Sequence, residues 1–309
     1  MSEDGRKTTV IYLAGYGHSG TTLLDLIFNG HPDIVGVGSL GVYGTRDRRR
    51  RNRHKIFERV RQCCCGAAAS DCPFWSQVLD GIDTSDGLEA YMSPLATLFN
   101  SNRYTYFNGK PLDEVSYLRT MEEVYRRIDR VSDAKVVFDS SQVPFRIGIL
   151  ARSSCIRLVV LHVVRNGEAC IASMKKKDGR SFFRTLLAWI RRNIEIEIVK
   201  RRHPEVPYIF VRYEDFVADP PAELSRVLRA VDLKYSPEML RFRSHVSHNF
   251  SGNGHRLNSD LPERIEADKT WRSRIALHEH FLFTAIGGWL NWIYDRRSRR
   301  AATTRERPA

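Results

Sequence analysis

The 309-residue sequence lacks long hydrophobic runs. No segment offers the ~18 continuous apolar residues that a membrane-spanning helix needs. The N-terminus is polar and has no apolar stretch before Val10, so it lacks the features of a signal peptide. From these two absences we expect a cytoplasmic protein.

Acidic residues are too few to balance the basic ones. Lys and Arg number 49 against 36 Asp and Glu, which gives a formal net charge of +13. This excess favours an anionic partner: a nucleotide, an acidic glycan, a nucleic acid or a membrane surface. Much of it lies in two runs, at 46–53 and 296–300, which also suit plain solvated segments. We expect no specific nucleic-acid partner, and peripheral membrane contact through the runs as an added property at most.

Internal repeats and low-complexity linkers are also absent, which favours one domain over several. Hydrophobic residues make up 42% of the chain, enough for a sizeable core. We predict a single domain over residues 1–295, with a basic, mostly helical insertion at about 44–132 that covers the site. An apolar-faced pattern predicts one helix over 277–294, and we expect a mobile basic tail over 296–309.

Short apolar runs alternate with helical patterns along the chain. Five runs predict buried strands, at residues 10–14, 34–37, 135–138, 156–164 and 208–211. The fourth is nearly continuous in branched aliphatic residues, which suits the centre of a parallel sheet covered on both faces. Strands that alternate with helices form right-handed βαβ units. We therefore predict a three-layer, P-loop-like α/β fold with a central parallel sheet flanked by helices.

The first predicted strand ends in a glycine-rich loop that lacks the lysine of nucleoside-triphosphate-binding loops. Four residues separate Gly15 from Gly20, and Thr21 and Thr22 follow, so a threonine stands where that pattern has lysine. A helix that begins here presents unpaired backbone N–H groups to an anion, and the hydroxyl of Ser19 adds a donor. The loop predicts phosphate binding, but the missing lysine disfavours a magnesium–triphosphate enzyme. An ordinary β–α turn is the alternative.

A second phosphate ligand is expected after the fourth strand. Arg165 lies at the carboxyl end of that strand, where ligands bind in open α/β sheets. Ser173 follows eight residues later, about two helical turns into the next element. Because arginine supplies a fork of donors, the two side chains are placed to converge on one phosphate. Taken alone, an arginine that ends a strand is more often a surface residue.

Together these motifs resemble those of the PAPS-dependent sulfotransferase family, in its bacterial branch (PAPS is 3′-phosphoadenosine-5′-phosphosulfate). Residues 18–24 are similar to the family's 5′-phosphosulfate loop, and Arg165 with Ser173 is similar to its 3′-phosphate motif. The donor-binding residues that the resemblance implies in the loop are Gly17, His18, Ser19, Gly20, Thr21 and Thr22. It also implies PAPS as co-substrate, with no metal. The sulfuryl acceptor would be a hydroxyl or amine of a glycan, lipid or small metabolite, and the arginines of the insertion favour an anionic one.

Two later segments add to the resemblance. Tyr213 begins a Tyr-Glu-Asp segment that is similar to the family's segment near the adenine. Residues 251–256 are similar to the late loop that closes on the 3′-phosphate. In that loop Gly252 permits close backbone approach, and Arg256 supplies charge. The resemblance therefore implies that all three residues bind the donor.

The catalytic residues depart from the family's pattern. His18 replaces its lysine or arginine, and we expect the imidazole to stabilise charge on the leaving oxygen. Ser39 stands where some branches have a glutamate base, and Gln142 replaces the lysine of the bacterial Asp-Ser-Ser-Lys segment. Asp139 is then the best candidate for the general base, with a helix N-cap or structural acceptor as its alternative. Weaker candidates are His31 and His162.

Four of the six cysteines cluster: Cys63, Cys64, Cys65 and Cys72. Their spacing resembles a Cys-x-Cys-Gly…Cys-Pro-x-Trp segment of bacterial sulfotransferases. In a reducing compartment a disulfide framework is not the default interpretation. A structural zinc site takes four ligands, and His54 offers a fourth only at an unconvincing spacing. We expect structural or redox-sensitive thiols, with zinc as the less favoured alternative.

Other function classes stay open beside a sulfotransferase. The glycine-rich loop also fits a P-loop kinase of a small molecule, although the missing lysine counts against it. The replaced base positions allow a donor-binding protein of low activity. The two basic runs allow a non-enzymatic binder of nucleic acid or membrane, whose binding would weaken with salt.

Overall fold

The computed structural model describes residues 6–40, 63–67, 71–80, 106–107, 110–111, 114–249 and 265–305. Its strands are β1 (Thr8–Gly15), β2 (Ile34–Gly38), β3 (Tyr106–Phe107), β4 (Lys110–Pro111), β5 (Val136–Asp139), β6 (Ile156–Val164) and β7 (Tyr208–Arg212). Its α-helices are α1 (Thr21–Asn29), α2 (Pro73–Leu79), α3 (Glu114–Ser132), α4 (Pro144–Leu150), α5 (Gly167–Asp178), α6 (Phe182–Arg202), α7 (Tyr213–Ala218), α8 (Pro220–Arg229), α9 (Leu277–Ile286) and α10 (Gly288–Arg305). Among these helices, none is both long and apolar enough to cross a membrane.

Five strands form one sheet in the order β2-β5-β1-β6-β7, and every neighbouring pair is parallel. All five correspond to apolar runs from which strands were predicted. The sheet is covered on both faces, as alternate residues of β1 show. Val10 and Tyr12 pack with α3, α4 and α6, whereas Ile11 and Leu13 pack with α1, α7 and α8. The predicted three-layer α/β fold with a central parallel sheet is therefore confirmed.

The sheet brings two of the predicted motifs to the same edge. β1 and β6 are neighbours over their whole length, and Gly15 pairs with Val163 at their carboxyl ends. A Cβ atom on Gly15 would lie 2.7 Å from the carbonyl oxygen of Val163, so only glycine fits this close approach. As a result, the loop that follows β1 and the arginine that follows β6 lie side by side.

The C-terminal part differs from its prediction. The expected single helix over 277–294 is two helices, α9 and α10, which meet at Gly287 and Gly288. The second helix continues through Arg305, so residues 296–305 are helical where a mobile tail was expected. Arg297 within that stretch donates to both carboxylate oxygens of Glu197 on α6, at 2.6 and 3.2 Å. This ion pair holds the helix against the domain.

The described parts of the insertion at 44–132 contain α2 and α3 and the strand pair β3 and β4. Both helices contribute buried side chains to the core on the α4 side of the sheet, among them Trp75 and Tyr125. That the insertion covers the site stays a prediction. The first basic run, at 46–53, lies outside the described residues.

Candidate functional site

The glycine-rich loop connects β1 to α1 and is shaped by left-handed backbone. Gly20 is the N-cap of α1 with φ +86°, and a Cβ atom there would lie 2.4 Å from the ring of Tyr213. His18 also has a positive φ, of +67°. The loop thus turns sharply enough to place the first N–H groups of α1 toward the end of the sheet, where an anion can accept from them.

His18 lies at the centre of the site. Its Nδ1 is 2.8 Å from the hydroxyl of Ser173, and its Nε2 is 3.6 Å from a carboxylate oxygen of Asp178. Burial lowers the pKa of His18, against the opposing effect of the Asp178 carboxylate. A lowered pKa disfavours the charged imidazole, so His18 is better suited to hydrogen bonding than to supplying the cation of a lysine or arginine.

Arg165 connects the loop to the rest of the site. Its Nη1 donates to the carbonyl oxygen of His18 at 3.1 Å. Its guanidinium lies 4.7 Å from the ring centroid of Tyr213, which is a cation–π distance. Its Nη2 is 3.9 Å from a carboxylate oxygen of Asp268, whose side chain is partly exposed. These contacts hold the cation beside the loop while leaving donor capacity for a ligand.

The residues of the two motifs line one cavity of about 220 Å³. Predicted donor-binding residues in its wall are His18, Gly20, Thr21, Thr22, Arg165 and Ser173. Two cations that were not predicted also line it, Lys177 and Arg243. Lys177 is four residues after Ser173 and on the same face of α5, so helical spacing alone points to it. Arg243 lies outside helices and strands, where no periodic pattern could reveal it.

The cavity concentrates positive charge. Burial lowers the pKa of Lys177, and the positive charges of Lys176 and Arg165 act in the same direction, opposed by Asp178. The lowered pKa means that the environment of Lys177 disfavours its protonated, positively charged form. An anion bound in the cavity would offset this cost, so the site is electrostatically suited to phosphate or sulfate.

Other predicted donor-binding residues lie differently. Tyr213 begins α7 and packs its ring between Gly20 and Arg165. Ser19 is 1% exposed, and its hydroxyl is 3.4 Å from the thiol of Cys170. Gly17 is outside the cavity wall, close to a methyl group of Met174. Gly252 and Arg256 lie outside the described residues, so their donor-binding role stays a prediction.

Asp139, the predicted base, is completely buried at the end of β5. One carboxylate oxygen accepts from the backbone N–H of Ser141 at 2.8 Å and from that residue's hydroxyl. The other accepts from the hydroxyl of Tyr125 and from the guanidinium of Arg146 at 3.1 Å. Arg146 is itself 0% exposed. This geometry favours the alternative of a structural acceptor, because both oxygens are occupied within the core.

The remaining base candidates are also placed by the structure. Burial lowers the pKa of His162 to about 4, and its ring packs between β6 and α6 near Asn193. His31 contacts the carbonyl oxygen of Lys234 at 2.9 Å, away from the cavity. Gln142 has φ +59°, and its carbonyl oxygen accepts from Arg192. None of these described residues lines the donor cavity.

Three of the clustered cysteines, Cys63, Cys65 and Cys72, meet a histidine that the sequence did not indicate. Together with His248 they bring four ligand atoms within 4.8 Å of one another. His54, the fourth ligand considered above, lies outside the described residues. His248 follows Cys63 by 185 positions in the chain, a separation at which no spacing pattern could have revealed the pair.

Comparisons with known proteins agree with this arrangement. The profile of the Sulfotransferase family matches residues 154–237, which contain β6, β7, Arg165 and Ser173. The sulfotransferase domain of the Synechococcus PCC 7002 olefin synthase aligns with a TM-score of 0.50 at 20% identity, over 87% of this chain and 88% of that domain. Among curated protein sequences, none matches this chain.

Two further solved structures align less closely. The sulfotransferase domain of the curacin biosynthetic pathway has a TM-score of 0.49 at 16% identity, over 91% of this chain and 98% of that domain. A sulfotransferase of Mycobacterium tuberculosis H37Rv has a TM-score of 0.43 at 15% identity, over 88% and 78%. The predicted resemblance to sulfotransferases is confirmed by the family match, and the olefin synthase domain shows the same fold.

Proposed function

We propose that this chain, whose family match and fold support sulfotransferase activity in general, transfers the sulfuryl group of PAPS to an acceptor hydroxyl or amine. One observation carries the proposal. Two groups of residues that the resemblance assigns to the two ends of one donor line the same cationic cavity: the loop residues His18, Gly20, Thr21 and Thr22, and the pair Arg165 and Ser173. A donor with a 5′-phosphosulfate and a 3′-phosphate needs two anion-binding groups of residues in one cavity.

In this proposal the 5′-phosphosulfate lies at the N-terminus of α1. Backbone N–H groups and the hydroxyls of Thr21 and Thr22 donate to its oxygens, since a helix N-terminus favours negative charge. The 3′-phosphate accepts from Arg165 and from Ser173. Because arginine donors form charge-assisted hydrogen bonds, this second contact would distinguish the donor from ordinary 5′-nucleotides.

The reaction is an in-line displacement at sulfur. The acceptor oxygen or nitrogen forms the new bond to sulfur and releases its proton to water as the bond from sulfur to the bridging oxygen breaks. The bridging oxygen keeps the electron pair and leaves on adenosine 3′,5′-bisphosphate. Negative charge then develops on that oxygen, and donors already oriented toward it lower the barrier. His18 is proposed to donate a hydrogen bond there. We further propose that the enzyme is cytoplasmic.

The donor assignment is tested by thermal shift and titration calorimetry without metal. Adenosine 3′,5′-bisphosphate should raise the melting temperature and bind more tightly than 5′-AMP. For Arg165→Ala, the affinity for the bisphosphate should fall about 10- to 100-fold, since a hydrogen bond to a charged group contributes about 1.5–3 kcal/mol. The affinity for 5′-AMP should fall less, and only because Arg165 also donates to the loop at the carbonyl oxygen of His18.

The matched control is Arg184→Ala, which removes an exposed arginine from α6 and should leave both affinities unchanged. An equal loss of 5′-AMP binding in Arg165→Ala would contradict the 3′-phosphate assignment. A shift with Mg-ATP and none with the bisphosphate would favour the P-loop kinase instead. Activity assays with PAPS and hydroxyl or amine acceptors of each class, glycan, lipid and small metabolite, then identify the acceptor.

A further inference from the structure

A compact group of metal-ligand side chains lies away from the donor cavity. The Sγ of Cys65 is 3.7 Å from the Sγ of Cys72. The Nδ1 of His248 is 3.3 Å from the Sγ of Cys72 and 3.8 Å from the Sγ of Cys63. We propose that Cys63, Cys65, Cys72 and His248 bind one structural zinc ion, with Nδ1 as the histidine ligand.

These three distances, out of the six among four ligand atoms, are close to the edges of a zinc tetrahedron. With Zn–S near 2.3 Å and Zn–N near 2.05 Å, tetrahedral angles place two sulfurs about 3.8 Å apart and a sulfur and a nitrogen about 3.5 Å apart. The three distances above, 3.7, 3.3 and 3.8 Å, lie within about 0.3 Å of those values. Three cysteines and one histidine form a closed site of the kind that zinc occupies structurally, with no open position for substrate.

The backbone around the first two ligands is arranged for close approach. The N–H of Gly66 donates to the carbonyl oxygen of Cys63 at 2.9 Å, and the N–H of Cys63 donates to the carbonyl oxygen of Ala67 at 2.9 Å. Gly66 has φ +92°, a conformation that glycine adopts without strain. The resulting tight turn directs both Cys63 and Cys65 to one point.

The other two ligands are positioned by contacts that do not involve a metal. Cys72 is the N-cap of α2, immediately before Pro73. The ring of His248 stacks on Phe74 with centroids 5.0 Å apart. The indole N–H of Trp75 donates to the carbonyl oxygen of His248 at 2.6 Å. The Phe74 ring thus orients the imidazole, while the Trp75 hydrogen bond holds the backbone of His248. Contacts that position a ligating histidine are a regular feature of zinc sites.

A disulfide is the main alternative use of these thiols. It would join Cys65 to Cys72 and leave the thiol of Cys63 and the imidazole of His248 without a chemical role. Cys63 and Cys72 are both 0% exposed, which protects them from oxidants and keeps a bound ion from solvent. The convergence of four ligands, rather than two, is what favours a metal.

The position of the site indicates what the metal would do. It would join the three cysteines of the insertion to His248, which is far from them in the sequence. A neighbouring hydrogen bond, from the N–H of Cys64 to the carbonyl oxygen of Asn249 at 3.2 Å, joins the same segments. Asn249 in turn donates to Asp25 on α1 at 2.6 Å. Zinc here would tie the insertion to the helix that follows the phosphate loop.

The test begins with the metal content of the full-length protein, purified without chelator and measured by inductively coupled plasma mass spectrometry. We expect about one zinc ion per chain. Co²⁺ exchanged into the site should give the intense visible bands of a tetrahedral thiolate complex. Cys65→Ser should abolish stoichiometric zinc and these bands, whereas Cys155→Ser, at an exposed cysteine, should retain both.

A further variant guards against simple misfolding. His248→Cys supplies a fourth thiolate and should retain one metal per chain, with a cobalt spectrum shifted toward that of a four-thiolate site. Wild-type protein that lacks zinc and takes up no Co²⁺, or that shows a Cys65–Cys72 disulfide by mass spectrometry in the absence of reductant, would overturn the proposal. These readouts need no sulfuryl donor, so they are independent of the proposed activity.

Discussion

Gly20 is the residue at which the phosphate loop is most constrained. Its φ of +86° is strained for any other residue, and an added Cβ would lie 2.4 Å from the ring of Tyr213. Gly20→Ala should therefore lower the free energy of unfolding by more than the ~1–2 kcal/mol of left-handed strain alone, because the ring must also move. Displacement of Tyr213 should in addition weaken binding of adenosine 3′,5′-bisphosphate. Urea denaturation and calorimetry measure the two effects.

The matched control is Gly179, which ends α5 with φ +62°. Within the described part of the chain, an added Cβ atom there would meet nothing within 4 Å. Gly179→Ala should incur the backbone strain without a collision, so its cost should stay near ~1–2 kcal/mol and donor affinity should hold. Equal losses of stability and affinity in the two variants would show that contact with Tyr213 does not matter.

Of the individual residues of the two sites, some can be predicted from the sequence and others cannot. Arg165 and Ser173 were identifiable because strand end and helical spacing are local patterns, and the structure places both in the donor cavity. Lys177 follows from the same helical spacing. His248 was not identifiable, because its approach to the cysteines depends on the packing of segments that are distant in the sequence.

β5 and α4 are joined by the buried ion pair of Asp139 and Arg146, and Tyr125 of α3 donates to the same carboxylate. Both side chains of the ion pair are 0% exposed, and their nitrogen and oxygen are 3.1 Å apart. Asp139→Asn would leave the guanidinium buried without a countercharge, which costs about 3–5 kcal/mol of unfolding free energy. Urea denaturation at pH 7 should show this loss, with Asp139→Asn/Arg146→Met recovering much of it.

This experiment also separates the two roles considered for Asp139. A general base that is not structural would give an Asp139→Asn variant of unchanged stability and greatly reduced sulfuryl transfer. If Asp139 is instead a structural acceptor, Asp139→Asn should lose stability, and any loss of sulfuryl transfer should follow from that loss. Full stability of Asp139→Asn together with loss of activity would restore Asp139 as the base.

The elements themselves were more predictable than their connections. Each strand of the central sheet is an apolar run, so its existence is a local property of the sequence. The break between α9 and α10 was missed because apolar residues continue across it. At Gly287 a Cβ atom would lie 2.9 Å from Leu186 of α6, so the break depends on close packing against another helix. Such packing is a tertiary property that periodicity does not contain.

The stability of the whole molecule should depend on pH through His162 in the core. Burial lowers the pKa of His162 to about 4, and among its charged neighbours Glu197 raises it while Arg297 and Lys200 lower it. The unfolded chain has a histidine pKa near ~6.5, so between about pH 6.5 and 4 it binds more protons than the folded protein. Unfolding free energy should therefore fall as pH falls through this window, by up to about 3 kcal/mol from this group.

Carboxyl groups and other histidines titrate in the same range. The contribution of His162 is therefore obtained as the difference in unfolding free energy between wild type and a variant without this histidine. The unfolding free energies of wild type and His162→Gln should be measured by urea denaturation at several pH values from 7 to about 4. The variant should lose less stability on acidification, even if its stability at pH 7 is lower. His278→Gln, at an exposed histidine, should follow wild type. If His162→Gln and wild type show parallel pH profiles, then His162 takes up its proton without unfolding, and the core on that side of the sheet must admit a charge or water.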